Sequence, residues 1–141
     1  YPEDHQKVAI SDQWMTWSTD SFMGTFFPVF WQLVRTEELH RDFNKIAEMA
    51  KQSAEVLKVL EGHLANNKFV AGHEFTYGDI PLGVLIHKYF VLDIKRPTMP
   101  GIEAWYQRLT ERNPFKELAM QPFGNSPDEF LELQTKGEKN L

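Results

Sequence analysis

Cysteine is absent from the 141 residues. That absence removes disulfide frameworks, thiolate metal sites and any cysteine nucleophile, and it fits a reducing compartment. Positive charge is scarce: 15 Lys and Arg face 20 Asp and Glu, the net charge is −5, and the longest basic block is Lys95-Arg96. Gripping a phosphate backbone needs clustered positive charge, so no nucleic-acid partner is expected. Long apolar runs are also missing. The two best candidates, residues 26–34 and 80–94, are broken by Pro28 and by His87, Lys88 and Asp93. Neither offers the uninterrupted apolar length that a bilayer demands, so no membrane span is expected. No stretch alternates β-branched and polar residues with period two, and no repeat or low-complexity tract is present, so strands are not expected either. The chain opens Tyr1-Pro2-Glu3-Asp4-His5, neither an initiator methionine nor a secretory signal. It is therefore expected to be processed or cut from a longer polypeptide.

What remains is globular: 42% hydrophobic and 25% charged residues in 16.5 kDa, enough for one domain. Size scaling gives roughly 7,500 Å² of folded surface, with about two-thirds of the open chain's surface buried.

Apolar spacing predicts an all-α bundle of about five main helices. The first runs from about residue 6 or 10 to residue 34, with Ile10, Trp14, Trp17, Phe22, Phe26 and Phe30 at three-to-five-residue steps. Pro28 is expected to bend or interrupt it. Aromatic on more than one face, it must touch more than one neighbour. The second begins at Glu37 or Glu38 and ends near Asn66, carrying the stripe Leu39, Phe43, Ile46, Ala50, Leu57, Leu60 and Leu64. Gly72 supplies a turn with access to positive φ.

The sharpest local signal is Phe75-Thr76-Tyr77-Gly78-Asp79-Ile80. Thr76 is placed as an N-cap whose hydroxyl accepts from the N–H three residues on. Asp79 reaches back to the N–H of Thr76, and Phe75 and Ile80 form a hydrophobic staple. The following helix, apolar nearly all round, reads as the centre of the bundle, with Pro81 imposing a strained or 3₁₀-like first turn. A further helix spans about 100–112 with Ile102, Trp105, Tyr106 and Leu109 on one face. Asn113-Pro114 then start a short helix to Met120, a last helical piece covers 126–133, and residues 135–141 read as a flexible tail.

Generic chemistry is sparse. His5, His40, His63, His73 and His87 lack metal-ligand spacing, so no metal is expected. Glu37-Glu38 and Asp128-Glu129 are adjacent pairs pointing different ways, and no G-x-S-x-G motif is present. Thr76 and Asp79 spend their polar atoms on backbone donors, which makes them determinants of the fold.

The same residues carry a resemblance. Leu64-x4-Phe69-Val70-Ala71-Gly72-x2-Phe75-Thr76-Tyr77-Gly78-Asp79-Ile80-Pro81-Leu82-Gly83 resembles the heart of the C-terminal all-helical domain of cytosolic glutathione transferases, where the capping box opens the buried sixth helix. Asp12-Gln13-Trp14-Met15-Thr16-Trp17 resembles the start of the fourth helix of bacterial and theta-like members. Ile102-x2-Trp105-Tyr106-x-Arg108-Leu109-x2-Arg112-x-Pro114 resembles the seventh helix and the turn into the eighth. Residues 1–5 resemble the interdomain linker, and the similarity covers about residues 1 to 123. Gly78 departs from the pattern, since the family more often carries alanine there.

The resemblance implies a cytoplasmic, dimeric detoxification enzyme of bacterial type. An absent thioredoxin-like N-terminal domain would bind the co-substrate glutathione and supply its thiol-activating residue. No catalytic residue is then expected in this chain, and alone it would be inactive. Its helices would line the pocket for a hydrophobic electrophile and much of a homodimer interface. Trp17 is the leading pocket candidate, flanked by Trp14 and Ser21, with Met120 and Phe123 closing the pocket from the C-terminal side. The alternative for both tryptophans is plain packing in the core or under the companion domain. Ala9 and Ile10 stand where theta-like members can carry an arginine, so no anion contact is expected there. Without its companion the first helix should expose an apolar face and promote self-association. The rival reading is a non-enzymatic assembly module of the same fold.

Overall fold

The computed structural model describes residues 1–138. Among them there are six helices and no strand. Helix α1 is one continuous rod in four stretches: α-helical His5–Trp17, a wider π-type turn Ser18–Met23, α-helical Gly24–Phe30 and a second π-type turn Trp31–Arg35. Backbone angles stay right-handed helical across each junction, Pro28 included within the third stretch.

The widened turns have a packing reason. The buried positions Trp14, Ser18, Phe22, Phe26, Phe30 and Val34 advance by strict steps of four. At 3.6 residues per turn such a stripe drifts by roughly 40° per step and soon leaves the core. A π turn, bonded i→i+5, rotates less per residue and brings the stripe back. Phe22 and Phe26 stack at 5.2 Å between centroids, and Tyr89 presents its edge to both at 5.9 and 5.8 Å.

Helix α2 is Phe43–Leu64 and starts later than its apolar spacing suggests. Asp42 is the N-cap, its carboxylate accepting from the Lys45 N–H at 3.0 Å. Residues Glu38–His40 form a separate 3₁₀ turn. Leu39, 93% exposed, and Phe43, 58% exposed, therefore lie outside the buried stripe, which begins at Ile46. The reason is local: the Asp42 cap satisfies an orphan donor of the first turn, so the chain upstream need not be helical.

After α2, Phe69 and Gly72 exchange backbone hydrogen bonds of 2.9 and 3.1 Å around a tight turn, with Gly72 at φ +120°. Helix α3 is Asp79–Val91. Its entry is half the expected capping box. Asp79 Oδ2 accepts from the Thr76 N–H at 2.8 Å, but the Asp79 N–H bonds the Thr76 carbonyl at 3.1 Å, leaving the Thr76 hydroxyl to accept from Ser11 at 3.0 Å and to donate to Asp79 at 3.3 Å. The i→i+3 bonds at Asp79 and Ile80 make this first turn 3₁₀-like, as Pro81 requires. The staple is open. Ile80 is 47% exposed, while Phe75 packs edge-on against Phe69 and beneath the Arg112 guanidinium.

Helix α4 is Pro100–Thr110, and its N-terminus is capped from α2: Glu61 accepts from Gly101 N–H at 2.8 Å and from Ile102 N–H at 2.9 Å. Helix α5, Asn113–Leu118, has Asn113 as its first residue rather than its cap. Helix α6 is Pro127–Glu138, so residues 135–138 of the expected tail are helical; 139–141 lie outside the described residues.

Helix α1 lies along α2 and α3, α4 packs on α2, α3 and α5, and α6 rests on the last turn of α1. His87 of α3 shares a 2.8 Å hydrogen bond with the Tyr106 hydroxyl of α4, and burial together with neighbouring Lys88 holds its pKa below the usual histidine range. The accessible surface is 8831 Å², above the size-scaling value, and apolar residues stand on outer faces: Phe27 and Trp31 on α1, Ile80 and Val91 on α3, Leu118 on α5.

Candidate functional site

A second stripe on α1, offset from the core stripe, reads Phe27, Trp31, Arg35. Side chains four apart on a helix are neighbours, and here the Phe27 and Trp31 rings lie 5.8 Å apart and about 45% exposed (44% and 46%). The Arg35 guanidinium sits 5.0 Å from the Trp31 ring centre and 4.2 Å from that of Phe130 on α6. Across from this stripe, Val84 and Lys88 come from α3, with the Lys88 ammonium 5.4 Å from the Phe30 ring. Leu118, Ala119, Pro122 and Phe123 close the third side, and Gln134 joins Phe130 on the fourth.

These residues enclose a cleft of about 370 Å³, within the size range of small-molecule sites. Five of its rings are aromatic: Phe27, Phe30, Trp31, Phe123 and Phe130. Among the described residues its lining holds two cations and no carboxylate. Burial pushes the Lys88 pKa down, since the charged form is denied part of its hydration. A second cleft of about 310 Å³ shares Val84, Leu118 and Ala119 with the first and adds Phe75, Ile80, Arg112, Pro114 and Phe115.

Of the five pocket residues read from the sequence, Phe123 lines the cleft, tilted against Phe30 at 5.1 Å. The others have different surroundings. Trp14 is buried, 5.2 Å from Trp17 in an edge-on pair and 4.7 Å from the His63 ring. Trp17 stacks on Phe22 at 6.5 Å, Ser21 is half-buried in the first π turn, and Met120 packs against the core beside the short helix. Trp17 reaches the cleft only through the series Phe22, Phe26, Phe30, Phe123. Sequence reasoning passed over Phe27, Trp31, Arg35, Lys88 and Phe130. The i, i+4, i+8 spacing of the first three was the available signal.

The most buried ionisable group is not at the cleft. Asp79, fully buried, accepts from Val70 N–H (2.9 Å), Thr76 N–H (2.8 Å), Trp105 Nε1–H (2.8 Å) and the Thr76 hydroxyl (3.3 Å). Burial raises its pKa, against the pull of these four donors. With every near donor satisfied, it ties the loop at Val70, the entry to α3 and the middle of α4 together. Among the described residues no group of three or more His, Asp or Glu could hold a metal ion, and no helix is long and apolar enough to cross a membrane.

The helix order defines an all-helical domain that carries an open aromatic cleft, and the comparisons give its family. The model of the glutathione S-transferase C-terminal domain matches residues 22–113. The chain belongs to that family. It is 30% identical over 114 residues to glutathione S-transferase GstB of Escherichia coli, covering 81% of this chain and 55% of that protein. Against glutathione S-transferase 3 of Zea mays it is 31% identical over 113 residues, covering 74% of this chain and 49% of the maize protein. Crystal structures of the theta class glutathione S-transferase from Xanthomonas axonopodis pv. citri, without ligand and with glutathione bound, are similar at a TM-score of 0.84 and 39% identity, over 88% of this chain and 65% of that one. The chain thus spans about half the length of the curated relatives it matches.

Proposed function

We propose that this chain is the electrophile-binding half of a cytoplasmic glutathione transferase, working with a thioredoxin-like domain that binds glutathione and activates its thiol. The observation that carries this reading is the solvent-open aromatic cleft walled by Phe27, Trp31, Phe123 and Phe130, in a chain 39% identical to a transferase solved with glutathione bound. Such a cleft takes an apolar electrophile by burying its ring against aromatic faces. Phe123 is the pocket residue common to the sequence reading and the cleft. Trp17, Trp14, Ser21 and Met120 support that wall from behind rather than touch the ligand. The apolar outer face of α1 before the cleft, with Met15 and Met23 both at least a third exposed, is available to the companion domain and to a second subunit of a homodimer.

Calorimetry on the isolated chain tests the division of labour. A neutral chloronitroarene such as methyl 4-chloro-3-nitrobenzoate should bind, glutathione should not, and mixing the two should give no conjugate above the uncatalysed rate. Conjugation by this chain alone, or tight glutathione binding, overturns the proposal. Absence of arene binding would favour the assembly-module reading instead.

A further inference from the structure

The two cations of the cleft have rings for neighbours and no acceptor. Arg35 lies against Trp31 and Phe130, Lys88 against Phe30, and neither has a carboxylate partner among the described residues. Stacking occupies the faces of a guanidinium, whereas its five N–H donors lie in its plane. The two rings flank the Arg35 guanidinium, and no hydrogen bond or ion pair among the described residues uses its donors. Lys88 is half-buried, so its charge acts through a medium that screens less than bulk water. A cleft built only to bury apolar rings would not gain from a partly desolvated ammonium, which costs free energy until an anion meets it.

We infer that the cleft selects electrophiles carrying an anionic group on an aromatic body, the anion meeting Arg35 and Lys88 while the ring lies among Trp31, Phe30 and Phe123. This rests on the proposed function and narrows its substrate class. The required chemistry is a carboxylate, sulfonate or phosphate attached to the arene; an oxyanion of that kind can accept two parallel N–H bonds from the fork. Glutathione also carries carboxylates, and the experiment separates these two sources of the anion.

The test compares 4-chloro-3-nitrobenzoate with its methyl ester, two ligands that differ in charge and by one methyl group. Calorimetry on the intact chain should show the acid binding about tenfold more tightly than the ester, an advantage that shrinks as salt rises. Lys88→Met and Arg35→Gln should each cost the acid about fivefold more affinity than they cost the ester. Arg35→Lys, which keeps charge but not the fork, should fall between. Circular dichroism establishes that each variant is folded, and the ester serves as the internal measure of an intact cleft. The inference fails if the ester binds as tightly as the acid, or if glutathione displaces the acid. If neither arene binds, it is the underlying function that fails.

Discussion

A methyl group on Gly78 would lie 2.9 Å from the Cα of Ser11 and 3.0 Å from its carbonyl oxygen. The entry to α3 is thus pressed directly onto the backbone of α1. At φ −63° the residue needs no glycine for its conformation; it needs one for space. That accounts for the single departure of the α3 entry from the pattern of the family.

Gly78→Ala should therefore destabilise the fold by about 1–3 kcal/mol, because the obstacle is backbone and cannot swing aside as a side-chain tip would. The entropy that alanine removes from the unfolded chain has the opposite sign, a gain of about 0.4–1 kcal/mol. Urea denaturation decides between them. A raised midpoint would mean that α1 yields.

Asp79 offers a second measurement. Replacing its carboxylate with an amide leaves one oxygen for the donors of Val70, Thr76 and Trp105 and turns an N–H toward the rest. Asp79→Asn should cost about 3 kcal/mol, and Thr76→Ala about 1 kcal/mol, since the latter removes one hydroxyl and leaves the carboxylate satisfied. Equal losses would show that the carboxylate is not the hub.

His87 makes the fold sensitive to acid. Its pKa in the folded state is lowered by burial and by Lys88. On unfolding it returns toward about 6.5, so the unfolded chain binds more protons just below that value. The stability contributed by neutral His87 is present above about pH 6.5 and is lost as pH falls through the lower, folded pKa. Urea midpoints at about pH 7.5 and about pH 5 should differ more in the wild type than in His87→Gln, which cannot take up that proton. An identical pH response in both proteins would contradict this.

The cleft makes opposite predictions for two tryptophans. Trp31→Ala should weaken binding of methyl 4-chloro-3-nitrobenzoate by about tenfold, the loss of a large aromatic contact. Trp17→Phe should change it by less than about twofold, because Trp17 packs on Trp14 and Phe22 and does not line the cleft. Reversed effects would return the pocket to the N-terminal half of α1.

The fold was legible in the residues because each helix announces itself locally. Asp79 reaching back to Thr76, Gly72 at its turn and the apolar face of α4 are short-range patterns that the structure reproduces. The start of α2 was misplaced because apolar spacing continues smoothly through Leu39 and Phe43, and only the Asp42 carboxylate interrupts it. The stripe of four-residue steps was visible, but the π turns that keep it on one face were not. The first of them carries Phe22, whose ring meets Tyr89 from a distant helix.

The sequence by itself determined the all-helical class and the family, since both are written in residues close together along the chain. The tertiary structure alone decided the site. Arg35 becomes a stacked fork because Phe130, 95 positions later, folds back over it, and Lys88 becomes its companion because α3 passes the same opening. Long-range packing sets which exposed rings face one another, and no local spacing contains that information.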